Sequence, residues 1–183
     1  ALGLAPGPFV TPVAVDYYTD AQLAVELKVL DSFHSEGAAA GRHDMGEVAI
    51  TFLATIFKKI KLNTHENVGW GKIAIPEANV HTTSYWLTFD EKATNGLDRE
   101  QIASGLSGIG ELARNLAAIF CLCDARDIGA NVQVRAPSTE LPTVYLYDMV
   151  PGGVGLAEKL FEVHDRLLEA CLALVKVCEC ENG

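Results

Sequence analysis

The sequence predicts an α+β fold, a bent antiparallel β-rich N-terminal half followed by a helix–β-hairpin–helix C-terminal half. Three observations carry this. Runs rich in Val, Ile, Thr and Phe dominate the stretch from Val13 to Phe89. A capped segment of helical period opens at Leu97. Two short strand-like runs and a second apolar stripe of helical period then complete the chain.

ALGLAPGPFVTP holds three prolines and two glycines without any period, so residues 1–12 read as a linker or extended arm. Residues 13–96 form the β-rich subdomain. Its strands are ELKVLDSF, GEVAITFLATIFKKIKL and HTTSYWLTF. In the second, Val48, Ile50 and Phe52 alternate with Glu47, Ala49 and Thr51, the pattern of a half-buried strand. SEGAAAGRHDMG and NTHENVGWG read as turns, and the strands between them as a bent sheet or open barrel.

A second subdomain, residues 97–183, follows a division near Asp90 to Gly96. Asp98 and Gln101 make a capping box, with Leu97 and Ile102 placed as a hydrophobic staple. Ile102, Leu106, Ile109, Ala113, Leu116 and Phe120 recur at helical spacing. Gly105, Gly108 and Gly110 each weaken that helix by ~1 kcal/mol relative to Ala and suit close packing. NVQVRA and TVYLYDM are the hairpin strands. The last helix is read as continuous, with Ala157, Leu160, Phe161, Leu167, Leu168, Cys171, Leu172 and Val175 on its apolar face.

Composition narrows the function. The chain has 183 residues, is 49% hydrophobic and 21% charged, and carries a net charge of -10. That balance argues against a broad nucleic-acid footprint and suits a scaffolding surface. The one basic cluster is Lys58, Lys59 and Lys61 in FKKIKL, read either as a local nucleic-acid contact or as a lysine-blunted edge strand. No apolar run approaches the ~20 residues of a membrane span, and no signal-peptide pattern opens the chain. Cys121, Cys123, Cys171, Cys178 and Cys180 are odd in number and lack the pattern of a disulfide framework, so a cytoplasmic setting is expected.

G-x-x-x-x-G-K-[ST], G-x-S-x-G and H-E-x-x-H are all absent. The five histidines are scattered along the chain, and His164 is expected to be solvated among acidic neighbours. Tyr147 and Asp148 end a strand, and Pro151, Gly152, Gly153 and Gly155 lead into a helix. Such a unit can hold a phosphate on exposed N–H groups, or can simply reverse the chain sharply. Without a following Lys-Ser/Thr the structural reading is favoured, with Asp148 capping the turn or helix. Asp124 and Asp127 sit against a helix C-terminus and call for a partner such as Arg126, Arg135 or a cation. Cys178 and Cys180 end the last apolar stripe. They read equally as two ligands of a tetrahedral ion and as idle thiols.

The segments YDMVPGGVGLAEKLFEVHDRLLEACLALVKVCECENG, ARNLAAIFCLCDARDIG, GEVAITF to SYWLTF, and VDYYTDAQLAVELKVL together resemble one known module. It is the C-terminal MrfA zinc-binding (MZB) domain of MrfA-like DEAD/DEAH-box helicases. The combination of YD-x-x-PGG-x-G with C-x-C-x-x-G carries the resemblance. The family pattern continues with Cys-Pro-x-Cys, and four thiolates bind one zinc. This chain supplies Cys178, Cys180 and Gly183 of that pattern, so as given it is expected to hold zinc poorly or not at all. The resemblance implies a superfamily 2 ATP-dependent DNA helicase linked to DNA repair, with ATP hydrolysis in upstream RecA-like domains. The chain itself would be a non-enzymatic accessory that meets those domains and reaches DNA through the parent. Two other readings stand beside it. One is a free-standing small α+β protein binding an anion at the PGGVG turn; the other is an interaction module that self-associates when isolated.

Overall fold

The computed structural model describes residues 17–38, 41–72 and 75–179. Its elements are β1 (Tyr17–Ala38), β2 (Gly41–Lys61), β3 (Asn67–Lys72), β4 (Ala78–Phe89), α1 (Arg99–Cys121), β5 (Ile128–Gln133), β6 (Thr143–Asp148), α2 (Leu156–Glu162) and α3 (His164–Val177). The fold is α+β, as the sequence predicts. The Asp90 to Gly96 stretch carries the chain from β4 to α1, while packing groups the residues into two compact units. One comprises Ala1–Ala24 with Phe52–Ala78, and the other Val25–Thr51 with Asn79–Gly183.

In the larger unit the strand order is β1-β2-β4-β6-β5. β6 lies between β4 and β5 and pairs antiparallel with both, Tyr85 facing Leu146 on one side and Ala130 facing Leu146 on the other. All six of its residues are buried, which accounts for the unbroken TVYLY run: a strand covered on both faces has no need of alternation. Val48 and Ile50 on β2 are also fully buried, as the alternation there predicts. The sheet curls, because side chains of β5 reach the backbone of β1. Asn131 Nδ2 donates to the Val25 carbonyl at 3.2 Å, and Gln133 Nε2 to that of Leu27 at 2.9 Å.

α1 starts at the expected capping box. Asp98 Oδ1 accepts from the Gln101 amide at 2.8 Å, and Gln101 Oε1 accepts from the Asp98 amide at 3.0 Å. The helix buries Leu106, Gly110, Ala113, Ala117 and Ala118, a face of mostly small residues that brings its backbone close to the sheet. At Gly110 a Cβ would lie 2.9 Å from Val132 Cγ1, whereas at Gly105 and Gly108 it would meet open space. Only Gly110 therefore serves close packing. Ala113, Ala117, Ile128, Leu146, Ala157, Leu160, Leu167 and Cys171 make the core where helices meet sheet.

The C-terminal helix is not continuous. Val163, at φ -100° and ψ 14°, separates α2 from α3. Leu172 and Val175, expected on the buried face, are exposed. The break re-aims α3 so that its burial ends at Cys171. Leu174, Val175 and Val177 then face Gly108, Ile109 and Leu112 of α1 across an open groove of about 840 Å3.

The strands correct two turn assignments, one in each unit. SEGAAAGRHDMG is mostly strand: β1 runs to Ala38, β2 starts at Gly41, and residues 39 and 40 lie outside those described. In NTHENVGWG the turn is confined to residues 63–66, and Asn67–Lys72 is β3, antiparallel to β2. Its glycines resemble loop signals but serve the pairing. Phe57 lies so close over Gly71 that a Cβ there would come within 2.7 Å of the ring.

These spacings predict opposite outcomes for two Gly→Ala changes on α1. Gly105→Ala is expected to stabilise the fold by about 0.5–1 kcal/mol. Gly110→Ala should lose that gain to the contact with Val132, and urea denaturation of both variants measures the difference.

Candidate functional site

Asp148 is fully buried at the end of β6. A carboxylate withdrawn from water needs donors, and the chain brings them from two directions. Asp148 Oδ2 accepts from Thr83 Oγ1 of β4 at 2.9 Å and from the Val154 amide at 3.1 Å. The turn between β6 and α2 is held by backbone hydrogen bonds, the Gly152 amide on the β4 carbonyl of His81 at 2.8 Å and the Gly153 amide on that of Val150 at 3.0 Å. Gly152, Gly153 and Gly155 have φ values of 82°, 75° and 92°, a region disfavoured for residues with a Cβ. At Gly153 a Cβ would also lie 2.4 Å from Thr83 Oγ1. Tyr147 is buried and its ring covers Gly129, while Pro151 is exposed on the turn.

Burial raises the Asp148 pKa, against the opposing pull of the Thr83 hydroxyl and the Val154 and Leu156 amides. An anion approaching this turn would meet a carboxylate, with the Gly152, Gly153 and Val154 amides already donating inward. The geometry supports the structural reading of the turn and lends none to anion binding.

Beside it lies a cluster that sequence spacing did not disclose. His164, expected in solvent, is 5% exposed. Its ring stacks on His43 of β2 with centroids 3.7 Å apart and planes 6° from parallel. Tyr85 of β4 shares a 2.6 Å hydrogen bond with His164 Nδ1. Phe161 packs against His43 at 4.8 Å, and Glu36 Oε2 stands 3.7 Å from His43 Nε2. The break at Val163 turns His164 inward, away from the solvated face that uninterrupted helical period assigns to it. Burial and the neighbouring imidazole both lower the His164 pKa, and the carboxylates of Asp165 and Glu36 oppose them weakly. Burial likewise pushes the Tyr85 phenol upward.

Cys121, Cys123 and Cys171 are free thiols. The first two pack half-buried against the core. Burial, then Cys123 and Asp148, push Cys121 up to about 11. Asp124 and Arg126 form a two-point ion pair, Nε to Oδ1 at 3.0 Å and Nη2 to Oδ2 at 2.9 Å, which answers the charge conflict at the end of α1. Cys178 is the C-cap of α3, beyond the core, and is engaged there rather than free. Cys180 lies outside the described residues. No group of three or more His, Cys, Asp or Glu among the described residues could hold a metal ion. Lys58 and Lys59 lie in the smaller unit, opposite Trp70 and Gly69 of β3. That pairing removes the edge-strand explanation for them on the β3 side. No helix among the described residues is long and apolar enough to cross a membrane.

A folded-state His164 pKa below the unfolded value means that the neutral ring contributes stability fully above pH ~6.5, lost as pH falls from there through the lower folded-state value. Unfolding free energy is therefore expected to drop between pH 7.5 and 5.5, by at most about 1.4 kcal/mol per pH unit for this one proton. His164→Phe, which keeps the stacked ring, should flatten that segment of the profile in urea titrations.

Residues 109–183 match the family model MZB, the MrfA Zn-binding domain. The uncharacterized ATP-dependent helicase YprA of Bacillus subtilis (strain 168) is 38% identical over 175 residues, which is 96% of this chain and 23% of that protein. The protein MJ1572.1 of Methanocaldococcus jannaschii is 34% identical over 71 residues, 37% of this chain and 63% of its own length. Among solved structures, the DUF1998 helicase MrfA bound to DNA shares the fold with a TM-score of 0.73 at 38% identity, over 93% of this chain and 23% of that one. With DNA and AMPPNP bound, the corresponding values are 0.60, 37%, 93% and 20%. The chain thus spans less than a quarter of the helicases it resembles. By family model, sequence and fold together, it is similar to a portion of the MrfA helicases, with the MrfA Zn-binding domain matched over residues 109–183.

Proposed function

We propose that this chain is the accessory C-terminal part of an ATP-dependent DNA helicase acting in cytoplasmic DNA repair. It supports the motor and strand handling without catalysing a reaction by itself. The observation that carries this reading is the alignment of 96% of the chain at 38% identity with a helicase four times its length, in a sequence without a phosphate-cradling G-x-x-x-x-G-K-[ST]. ATP hydrolysis then belongs to RecA-like domains elsewhere in the parent. The buried polar groups described above suit a support: Asp148, Tyr85, His43 and His164 all serve internal contacts.

The open groove between α1 and α3 is the surface we assign to those RecA-like domains. Leu174, Val175 and Val177 lie exposed there without cover from the sheet. An isolated chain would pair with itself through the same face.

Zinc needs four ligands in a structural site, and the described residues do not provide them. Cys178 and Cys180 are the two thiolates we assign to the parent's zinc, completed by ligands from elsewhere in the parent. Bound zinc would clamp the end of α3.

In the full-length parent, removing the region equivalent to this chain is expected to lower strand unwinding at least tenfold while nucleotide hydrolysis persists. Unwinding at the parental rate would sink the accessory role. The intact parent should also carry one zinc per chain by elemental analysis, and Cys178→Ser should release it.

A further inference from the structure

The hairpin of β2 and β3 presents an aromatic and charged surface that its own packing does not use. The antiparallel register sets Lys58 opposite Trp70, and Ile56 opposite Lys72. Directly paired residues share a sheet face, as do alternate residues along one strand. Lys58, Val68, Trp70 and Lys72 therefore stand on one face. Trp70 is 71% exposed and Val68 54%. The reverse face is built differently, since Phe57 covers Gly71 there and shelters its own ring. The contrast with Trp86, buried at 2% in the larger unit, is that of a packed indole with a displayed one.

Charge favours an anionic visitor. From Phe52 to Lys72 the chain holds Lys58, Lys59, Lys61 and Lys72 against Glu66, whereas the whole chain has 14 Lys and Arg against 24 Asp and Glu. Screening limits charge effects to about 8 Å at physiological ionic strength. Cross-strand neighbours lie about 5 Å apart, so Lys58 and Lys72 act within screening range of the Trp70 face. Among the described residues, Lys58, Lys61 and Lys72 make no ion pair. A flat indole flanked by ammonium groups matches a nucleobase flanked by phosphates. Single-stranded nucleic acid is bound in just this way, by stacking on aromatics within a basic track.

We propose that the Trp70 face of this hairpin is a stacking platform for single-stranded DNA, with Trp70 receiving a base and Lys58 and Lys72 its neighbouring phosphates. The choice of DNA rests on the helicase reading above; the platform itself rests on the hairpin's register, exposure and charge. Stacking is indifferent to base identity, so the platform grips strand without reading sequence.

The test is titration of the 183-residue chain with a twelve-nucleotide oligothymidylate, followed by tryptophan emission. Binding is expected to quench the Trp70 component and to leave emission from buried Trp86 unchanged. Trp70→Ala should weaken binding about tenfold, and Lys58→Ala and Lys72→Ala should each reduce the salt slope by about 0.7. Near-ultraviolet circular dichroism of Trp86 and the buried tyrosines verifies that each variant folds. Equal affinity in Trp70→Ala would overturn the platform. So would absence of oligonucleotide binding by the unsubstituted 183-residue chain, or quenching by anionic phosphatidylserine vesicles in place of DNA. Each of these outcomes leaves the accessory role untouched, since that role is judged by unwinding in the full-length helicase.

Discussion

The buried carboxylate of Asp148 is the interaction on which the larger unit depends. Leaving it without donors would cost several kcal/mol, so Thr83 of β4 and the Val154 amide must converge on one oxygen. That convergence requires the chain to double back immediately after β6. The reversal in turn requires positive φ at three glycines and no side chain on Gly153. The start of α2 follows, and with it the place where α3 begins. A single desolvated oxygen thus couples strand pairing to helix placement, which explains why motif and fold coincide in YD-x-x-PGG-x-G.

The stacked imidazoles form the second coupling. His43 lies near the start of β2 and His164 at the first residue of α3, and Tyr85 holds the latter from β4. Two protonated rings at 3.7 Å would repel in a medium that screens poorly, and the His164 pKa is lowered accordingly. It anchors only the beginning of α3. The rest of that helix passes beyond the core after Cys171, carrying exposed apolar side chains and ending at Cys178. A helix held firmly at one end and open at the other suits a connection between a stable support and something larger.

Charge is distributed with the same economy. The larger unit contains most of the carboxylates, and the pairing of β2 with β3 sets Lys58 and Lys72 on the same face as an exposed indole. Net charge alone argues against contact with nucleic acid, whereas the segment from Phe52 to Lys72 carries the opposite sign. Such segregation permits a weak local grip without general adhesion to polyanions.

Local signals were sufficient for much of this. The capping box at Asp98 and Gln101, the alternation at Val48 and Ile50, the uninterrupted apolar run of β6 and the glycine-dependent reversal after Asp148 each arise within a few consecutive residues. The sequence by itself therefore determined the α+β class, the start of α1, the burial of β6 and the family resemblance carried by the turn and the cysteines. Tertiary structure decided the rest, because the deciding partners are far apart in the chain. His164 is buried because His43 and Tyr85, more than 70 residues away, supply a ring to stack on and a phenol to bond. Asn67–Lys72 is a strand because it pairs with β2, where Phe57 lies over Gly71. Trp70 meets Lys58 only through that pairing, since register between strands is set by contacts that linear periodicity does not contain.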